Sequence, residues 1–176
     1  CLIKPCAIYS SLSTLKKYYE SIFELDNVIG IVVATRPDCV DSYLLDYYQD
    51  IAKEKYVMIE YGIESTSDVT LQRINRGHTY SDSIRAVEET HKRGINVGAH
   101  LILGLPGERE TDFISHAKKI NELPLDMLKL HQLQIVKGTV LEKKWQNGSA
   151  DLMTFTMNEY IDLCIRFLEQ LKPTIG

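Results

Sequence analysis

The chain has 176 residues, which fits one domain but not a complete eight-stranded (β/α) barrel of about 250 residues. Its composition, 44% hydrophobic and 25% charged, excludes a disordered or collagen-like protein. No apolar run approaches the roughly 20 residues of a membrane-spanning helix, and the formal net charge of -4 argues against a broad nucleic-acid-binding surface.

Short apolar runs alternate with segments of helical period along the chain. The first segment, 2–9, carries Lys4 and Pro5 and is interpreted as a frayed edge strand. The predicted elements then follow in the order helix 12–25, strand 29–34, helix 40–53, strand 56–63, helix 80–93, strand 97–103, helix 108–123, strand 127–136 and helix 157–171. The stretch 137–150, rich in glycine and asparagine, is predicted to be irregular.

This alternation predicts an α/β fold with a parallel sheet and right-handed crossovers, either a barrel or a doubly wound sheet. Residues 1–176 are interpreted as a single domain. The chain begins with Cys1 rather than Met and lacks the features of a signal peptide, so we expect a piece of a longer protein. Four widely spread cysteines suit a reducing compartment, and the cytoplasm is the expected location.

Polar residues collect where the predicted strands end, which is where parallel α/β folds carry their chemistry. Arg36 and Asp38 follow the first clear strand; they form either a ligand-binding corner or a surface ion pair with a helix cap. Glu60 and Glu64 share one face of the next strand, and Gly62 between them leaves room for a large group. Alternatively, Glu60 pairs with a nearby Lys or Arg, and 65–68 is only a helix cap.

The later loops and strands add further polar candidates. Arg73, Arg76 and His78 lie in a charged loop that is either functional or simply solvated. His100 lies on an apolar strand, as a hydrogen-bonded core residue or a functional one, and Glu108 is expected to begin the following helix. The fourth strand contributes three polar residues, His131, Gln132 and Gln134. A shared polar mouth formed by successive strands explains this pattern.

Three motifs together resemble the radical S-adenosylmethionine (radical SAM) superfamily: 35–38 (TRPD), Glu64 and Ser65 with 73–78 (RINRGH), and 100–108 (HLILGLPGE). The resemblance is to the YhcC-type branch, near the elongator catalytic subunit and oxygen-independent coproporphyrinogen oxidase. It implies a partial parallel, TIM-like (β/α) barrel, roughly strands 2 to 6 of a (β/α)6 core. It also implies an enzyme in which a [4Fe-4S] cluster reduces S-adenosylmethionine to release a 5′-deoxyadenosyl radical.

The resemblance also implies roles for particular residues. Glu64 would hold the bound S-adenosylmethionine, and Arg76 would face its methionine carboxylate. His100 corresponds to an acidic residue near the ribose, Ile102 would pack by the adenine, and the backbone of Gln134 would meet the adenine edge. Ala34 stands where several relatives have Glu, and Arg36 two residues later is expected to alter that corner of the site.

The Cys-x3-Cys-x-x-Cys motif that supplies cluster ligands in this superfamily is absent, so no residue of this chain is predicted to bind metal. We therefore expect a fragment that is inactive alone and that binds S-adenosylmethionine within the full-length enzyme. The alternatives are a non-redox barrel enzyme using Glu64 and His100 as acid and base, or a scaffold module without chemistry. The substrate is either RNA or a small molecule, no membrane partner is expected, and the open edge of the fragment is expected to self-associate.

Overall fold

Four parallel strands form one sheet in the computed structural model, which describes residues 11–176. The strands are β1 (Gly30–Thr35), β2 (Tyr56–Glu64), β3 (Asn96–Leu103) and β4 (Met127–Gln132). The helices are α1 (Leu12–Phe23), α2 (Ser42–Ala52), α3 (Asp68–Arg73), α4 (Tyr80–His91), α5 (Glu110–Ile120), α6 (Val140–Gln146) and α7 (Met157–Leu168), with a 3-10 turn at Pro37–Cys39. The predicted alternation of strands and helices is confirmed between residues 12 and 132.

The strand order distinguishes a barrel wall from a doubly wound sheet. Within residues 11–176 the spatial order β1-β2-β3-β4 follows the chain order, and every neighbouring pair is parallel. A doubly wound sheet instead reverses its strand order at a switch point. When successive strands are added along one direction of the sheet, right-handed crossovers place all their helices on the same face. The sheet is therefore the wall of a partial barrel.

The core lies between the sheet and these helices. Alternate residues of β2 (Val57, Ile59, Tyr61 and Ile63) are all at most 1% exposed and share one hydrophobic cluster with α2, α4, α5 and α7. The Tyr61 hydroxyl is paired with Thr90 Oγ1 of α4 at 2.7 Å, so its polar atom is satisfied inside the core. Each such buried side chain contributes about 1.5–3 kcal/mol, and this packing fixes which face of every strand turns away from the helices.

The other face of the sheet, here called the inner face, carries the polar side chains. Side chains alternate along a strand, so burial of the odd-numbered positions of β2 and β3 against helices directs the even-numbered ones to the opposite face. The inner face bears Ala34, Glu60, Gly62, Glu64, His100, Ile102, Lys129 and His131. Because all four strands are parallel, their polar carboxyl ends lie at the same edge of the sheet.

Two acidic residues that were expected to begin helices do not do so. Asp38 does not cap α2, because the 3-10 turn delays the helix and the side chain of Asp41 accepts the hydrogen bond from Leu44 N at 2.8 Å. Glu108 lies two residues before α5 and is 1% exposed. The predicted dipole role of Glu108 is therefore wrong, and its carboxylate is used inside the protein.

The region after β4 also differs from expectation. The fourth strand ends at Gln132 rather than at residue 136, so Gln134 is not on the strand. The stretch predicted to be irregular contains α6, since the side chain of Thr139 accepts a hydrogen bond from Glu142 N at 3.1 Å and caps the helix. The predicted edge strand 2–9 lies outside the described residues, and none of the described helices is long and apolar enough to cross a bilayer.

Candidate functional site

The carboxyl end of β2 is bent by a tight turn centred on Glu64. The pairing of β2 with β3 shifts register between Gly62 and Glu64, and Glu64 has a φ of 66°. The N–H of Ser65 donates to the carbonyl of Ile63 at 2.9 Å, which closes a three-residue γ-turn around Glu64. A residue with a Cβ pays a strain energy for positive φ, so the sequence holds Glu64 in an unfavourable backbone conformation at the mouth of the sheet.

The side chain of Glu64 is paired with Arg76, which follows α3. Arg76 Nη2 lies 3.0 Å from Glu64 Oε1 and donates to the carbonyl of Gly62 at 3.0 Å. A Cβ on Gly62 would lie 2.5 Å from Arg76 Nη2 and 2.6 Å from Glu64 Oε1. Gly62 is therefore required for the pair to pack against the strand, and the large group for which it leaves room is the Arg76 guanidinium.

An open cleft of about 290 Å³ surrounds this pair at the carboxyl ends of β1, β2 and β3. Its lining consists of Ala34, Thr35, Arg36, Glu60, Gly62, Glu64, Arg76 and His100. The Nε atom of Arg76 is buried and has no hydrogen-bond partner within residues 11–176. The Arg76 side chain as a whole is 26% exposed and lines the cleft, so its guanidinium can donate to an anionic group of a ligand there.

The corner of the cleft beside β1 carries Arg36. Its guanidinium forms an ion pair with Asp38, with Nε donating to Oδ1 at 2.9 Å, and this pairing lowers the pKa of the Asp38 carboxyl. The side chain also passes over Gly77, where a Cβ would lie 3.4 Å from Arg36 Nη2. The ion pair of Arg36 and Asp38 is confirmed, the helix cap that accompanied it in that alternative is not, and Arg36 also lines the cleft.

A hydrogen-bonded network lies on the inner face beside the cleft. Glu60 Oε1 accepts from Lys129 Nζ at 2.7 Å, and Glu60 Oε2 lies 2.9 Å from His100 Nε2. His100 Nδ1 in turn lies 3.2 Å from His131 Nε2. Burial acts to raise the pKa of Glu60, but the hydrogen bonds from Lys129 and His100 outweigh it and hold that pKa below its ordinary value. Glu60 is thus ionised at neutral pH.

A second, fully buried network supports the turn at Glu64 from behind. Ser65 Oγ donates to Glu108 Oε1 at 2.7 Å, and His116 Nε2 lies 3.1 Å from the same oxygen. His116 Nδ1 is paired with Thr66 Oγ1 at 2.7 Å. These four side chains are at most 2% exposed. They tie the end of β2 to the loop after β3 and to α5. Sequence reasoning named Ser65 and Glu108 but missed Thr66, His116 and the network itself, because no local pattern links residues so far apart.

The structure brings four of the six predicted site residues together. Glu64, Arg76, His100 and Arg36 line one cleft. Ile102 lies one step further along the inner face of β3, opposite His131, and Gln134 is exposed beyond the end of β4. Glu64 and His100 do not contact each other as an acid–base pair, since each is bonded to other partners.

The other singled-out side chains are mostly structural. His78 is 7% exposed, and burial together with the charge of Arg76 lowers its pKa. Arg73 donates to the carbonyl of Pro106 and to Asp151, each at 3.2 Å, so it fastens the loop after β3. Within residues 11–176 no group of three His, Cys, Asp or Glu side chains has the geometry of a metal site. The described residues therefore do not fit an iron–sulfur cluster.

The comparisons with known proteins identify the family. The sequence profile of the Radical SAM superfamily matches residues 8–120, and that of the Radical_SAM C-terminal domain matches residues 125–176. The chain belongs to the radical SAM superfamily. S-Adenosylmethionine and a [4Fe-4S] cluster are the cofactors of this superfamily, and the resemblance seen in the sequence motifs is confirmed.

Three individual proteins illustrate the relationship. The chain is 38% identical over 168 residues to the uncharacterized protein MJ0486 of Methanocaldococcus jannaschii, covering 95% of the chain and 52% of that protein. It is 36% identical over 141 residues to protein YhcC of Escherichia coli, covering 80% of the chain and 46% of that protein. The structure of coproporphyrinogen III oxidase (HemN) from Escherichia coli superposes with a TM-score of 0.72 at 18% identity, over 94% of the chain and 38% of that protein.

The likeness to the solved structure confirms the predicted partial (β/α) barrel fold. The chain spans about half the length of the curated relatives it matches.

Proposed function

We propose that this chain is the S-adenosylmethionine-binding core of a radical SAM enzyme whose full length extends beyond these residues. The observation that carries the proposal is the ion pair of Glu64 and Arg76, which lines the open cleft and leaves the Arg76 side chain 26% exposed. Membership of the superfamily and the coverage of about half of each relative support it.

The donor and acceptor set of the cleft fits the amino-acid end of S-adenosylmethionine. That end carries an ammonium group and a carboxylate, so Glu64 would accept from the ammonium and Arg76 would donate to the carboxylate. Gly62 keeps the floor of the cleft open. His100 and Arg36, which line the same cleft, are proposed contacts of the remaining cofactor. Ile102 and Gln134, which lie toward β4, are proposed to meet the adenine.

When bound next to the cluster, S-adenosylmethionine supplies the 5′-deoxyadenosyl radical in this superfamily. Since residues 11–176 lack a cluster-binding group, we propose that the cluster ligands of the full-length enzyme come from outside this range. The substrate of the full-length protein is proposed to be RNA or a small molecule. The tRNA uridine(34) acetyltransferase of Methanocaldococcus jannaschii, 28% identical over 168 residues, and coproporphyrinogen III oxidase represent these two classes among the relatives and structural neighbours.

The test is the affinity of the full-length protein for S-adenosylmethionine, measured by calorimetric titration. Arg76→Ala should weaken binding about ten- to a hundredfold, because a charge-assisted pair with a carboxylate contributes about 1.5–3 kcal/mol. Arg76→Lys should lose less, since it keeps the charge but not the planar fork.

The matched control is Arg166→Ala. Arg166 makes a comparable ion pair with Glu110 at 3.1 Å, but both side chains are about half exposed and the pair lies away from the cleft. Its loss should leave the affinity unchanged. Equal affinities for the parent, Arg76→Ala and Arg166→Ala would refute the assignment of the cleft.

A further inference from the structure

The inner face of β2, β3 and β4 carries a chain of three hydrogen-bonded side chains, Glu60, His100 and His131, one from each strand. The two links measure 2.9 Å and 3.2 Å, and the side-chain exposure rises from 8% at Glu60 through 24% at His100 to an exposed His131. The chain therefore runs from a buried carboxylate to an open imidazole. The proposed cofactor binding uses His100, which lines the cleft, but gives no role to the hydrogen bonds that join it to Glu60 and His131.

The direction of each hydrogen bond follows from the charge of Glu60. An ionised carboxylate only accepts hydrogen bonds, so His100 Nε2 carries the proton of the first link. The Nδ1 atom of a neutral His100 is then an acceptor, and His131 Nε2 must donate to it. This leaves the lone pair of His131 Nδ1 available at the open end, with no hydrogen-bond partner among residues 11–176.

A metal ion would explain two adjacent imidazoles, but the described side chains do not provide a third ligand. The charges facing the chain also favour proton transfer. Glu64 and Arg76 neutralise each other across the cleft, and Lys129 binds Oε1 of Glu60, where it competes with His100 for the charge of the carboxylate. An extra positive charge on His100 would be held by the other oxygen, Oε2 of Glu60.

We infer that His131 is an acid–base residue that exchanges a proton with the substrate at the inner face, and that His100 and Glu60 position it and take up the charge. The inference rests on the proposed function, because that function requires a substrate beside the cleft that His100 lines. The substrate class is a molecule with a weakly acidic N–H, O–H or carbonyl-activated C–H group.

The proton transfer balances as follows. The H–X bond of the substrate breaks, its electron pair stays on X, and the proton bonds to His131 Nδ1. The proton on His131 Nε2 passes to His100 Nδ1, so His131 becomes neutral again and His100 becomes an imidazolium held by Glu60. The reverse sequence delivers a proton to X, and neither direction requires an oxidant or a reductant.

The test is the rate at which diethyl pyrocarbonate modifies His131 in the full-length protein, followed by mass spectrometry of each histidine at about pH 8, where an ordinary imidazole is neutral. His91, exposed on α4 and outside the network, is the internal control. His131 should react faster than His91. Glu60→Gln should slow His131 about threefold, because a charge-assisted hydrogen bond becomes a neutral one of about half the strength. The His91 rate should not change.

Lys129→Met gives a second variant with the opposite expected sign. Lys129 is 44% exposed, so its replacement should be tolerated, and Glu60 would then direct its whole charge to His100 and accelerate the reaction of His131. A structural disturbance would not produce opposite changes in the two variants. The inference is overturned if His131 reacts no faster than His91, or if its rate fails to fall in folded Glu60→Gln and fails to rise in Lys129→Met.

The same preparations are titrated with S-adenosylmethionine, which separates the two hypotheses. If the parent protein does not bind S-adenosylmethionine, the proposed function is refuted. The inference about His131 is tested separately, by the modification rates of His131 in the parent and in the two variants.

Discussion

The positive φ of Glu64 predicts that glycine at this position is more stabilising than alanine, the reverse of the usual order. Glu64→Ala and Glu64→Gly both remove the carboxylate, so the lost ion pair with Arg76 cancels when the two variants are compared. They differ in the cost of a φ of 66°. An L-residue pays about 1–2 kcal/mol there, whereas glycine pays nothing. Glycine also has more conformational freedom in the unfolded chain, which lowers the free energy of unfolding of the glycine variant by about 0.4–1 kcal/mol relative to the alanine variant.

Glu64→Gly should therefore be more stable than Glu64→Ala by about 0.5–1 kcal/mol, or about 1–4 °C in Tm for a protein of this size. Chemical and thermal denaturation of both variants measure the difference. Glu88, exposed in the middle of α4, provides the control pair, because there Glu88→Ala should be more stable than Glu88→Gly by about 1 kcal/mol.

If Glu64→Ala proves as stable as Glu64→Gly, the γ-turn is not held at positive φ in solution. Both Glu64 variants should also bind S-adenosylmethionine more weakly than the parent. Together the two measurements separate the role of the side chain from the strain of the backbone.

Three further outcomes are expected. The stability lost in Glu60→Gln should be largest at neutral pH and should shrink as the pH falls. Because folding lowers the pKa of Glu60, its carboxylate stabilises the fold above the unfolded carboxyl pKa, and this contribution is lost as acid protonates it. Urea unfolding at several pH values measures the change. The 176-residue chain alone should self-associate through the β1 edge, where Ile29 and Val32 are 83% and 48% exposed, and Val32→Lys should reduce the mass measured by light scattering. Reconstitution of that chain with iron and sulfide should give no [4Fe-4S] absorbance, because its sequence lacks the Cys-x3-Cys-x-x-Cys motif and residues 11–176 hold no group of three metal ligands; four irons per chain would contradict this expectation.

The sequence predicted the parts of the site that depend on strand periodicity. Glu60 and Gly62 share the inner face as expected, because side chains alternate along β2. Glu64 also reaches the cleft, but it lies beyond the register shift, and its turn at positive φ accompanies this placement. The expectation that Gly62 makes room was also correct, although the group that fills the room could not be named. Arg76 is fourteen residues away, and only the path of α3 brings it back to the strand.

Contacts across strands and helices could not be predicted in this way. One alternative for Glu60 was a pair with a nearby Lys or Arg, and Lys129, two strands away, takes that role because Gly98 between them has no side chain; a Cβ there would lie 3.0 Å from Glu60 Cγ. The start of α2 also differs from the prediction. Asp38 was the expected cap, but the 3-10 turn at Pro37–Cys39 delays the helix, and Asp41 caps it.

The last helix has a consequence for how the molecule folds. The two family matches meet between residues 120 and 125, which would suggest two separable modules. However, Leu163 and Phe167 of α7 are at most 2% exposed and belong to the same core as Phe113 of α5, and β4 hydrogen-bonds along β3. A chain truncated after residue 120 would expose the surface of α5 that α7 covers and would leave β3 as an unpaired edge strand. We therefore expect residues 125–176 to unfold in the same cooperative transition as the strands that line the cleft.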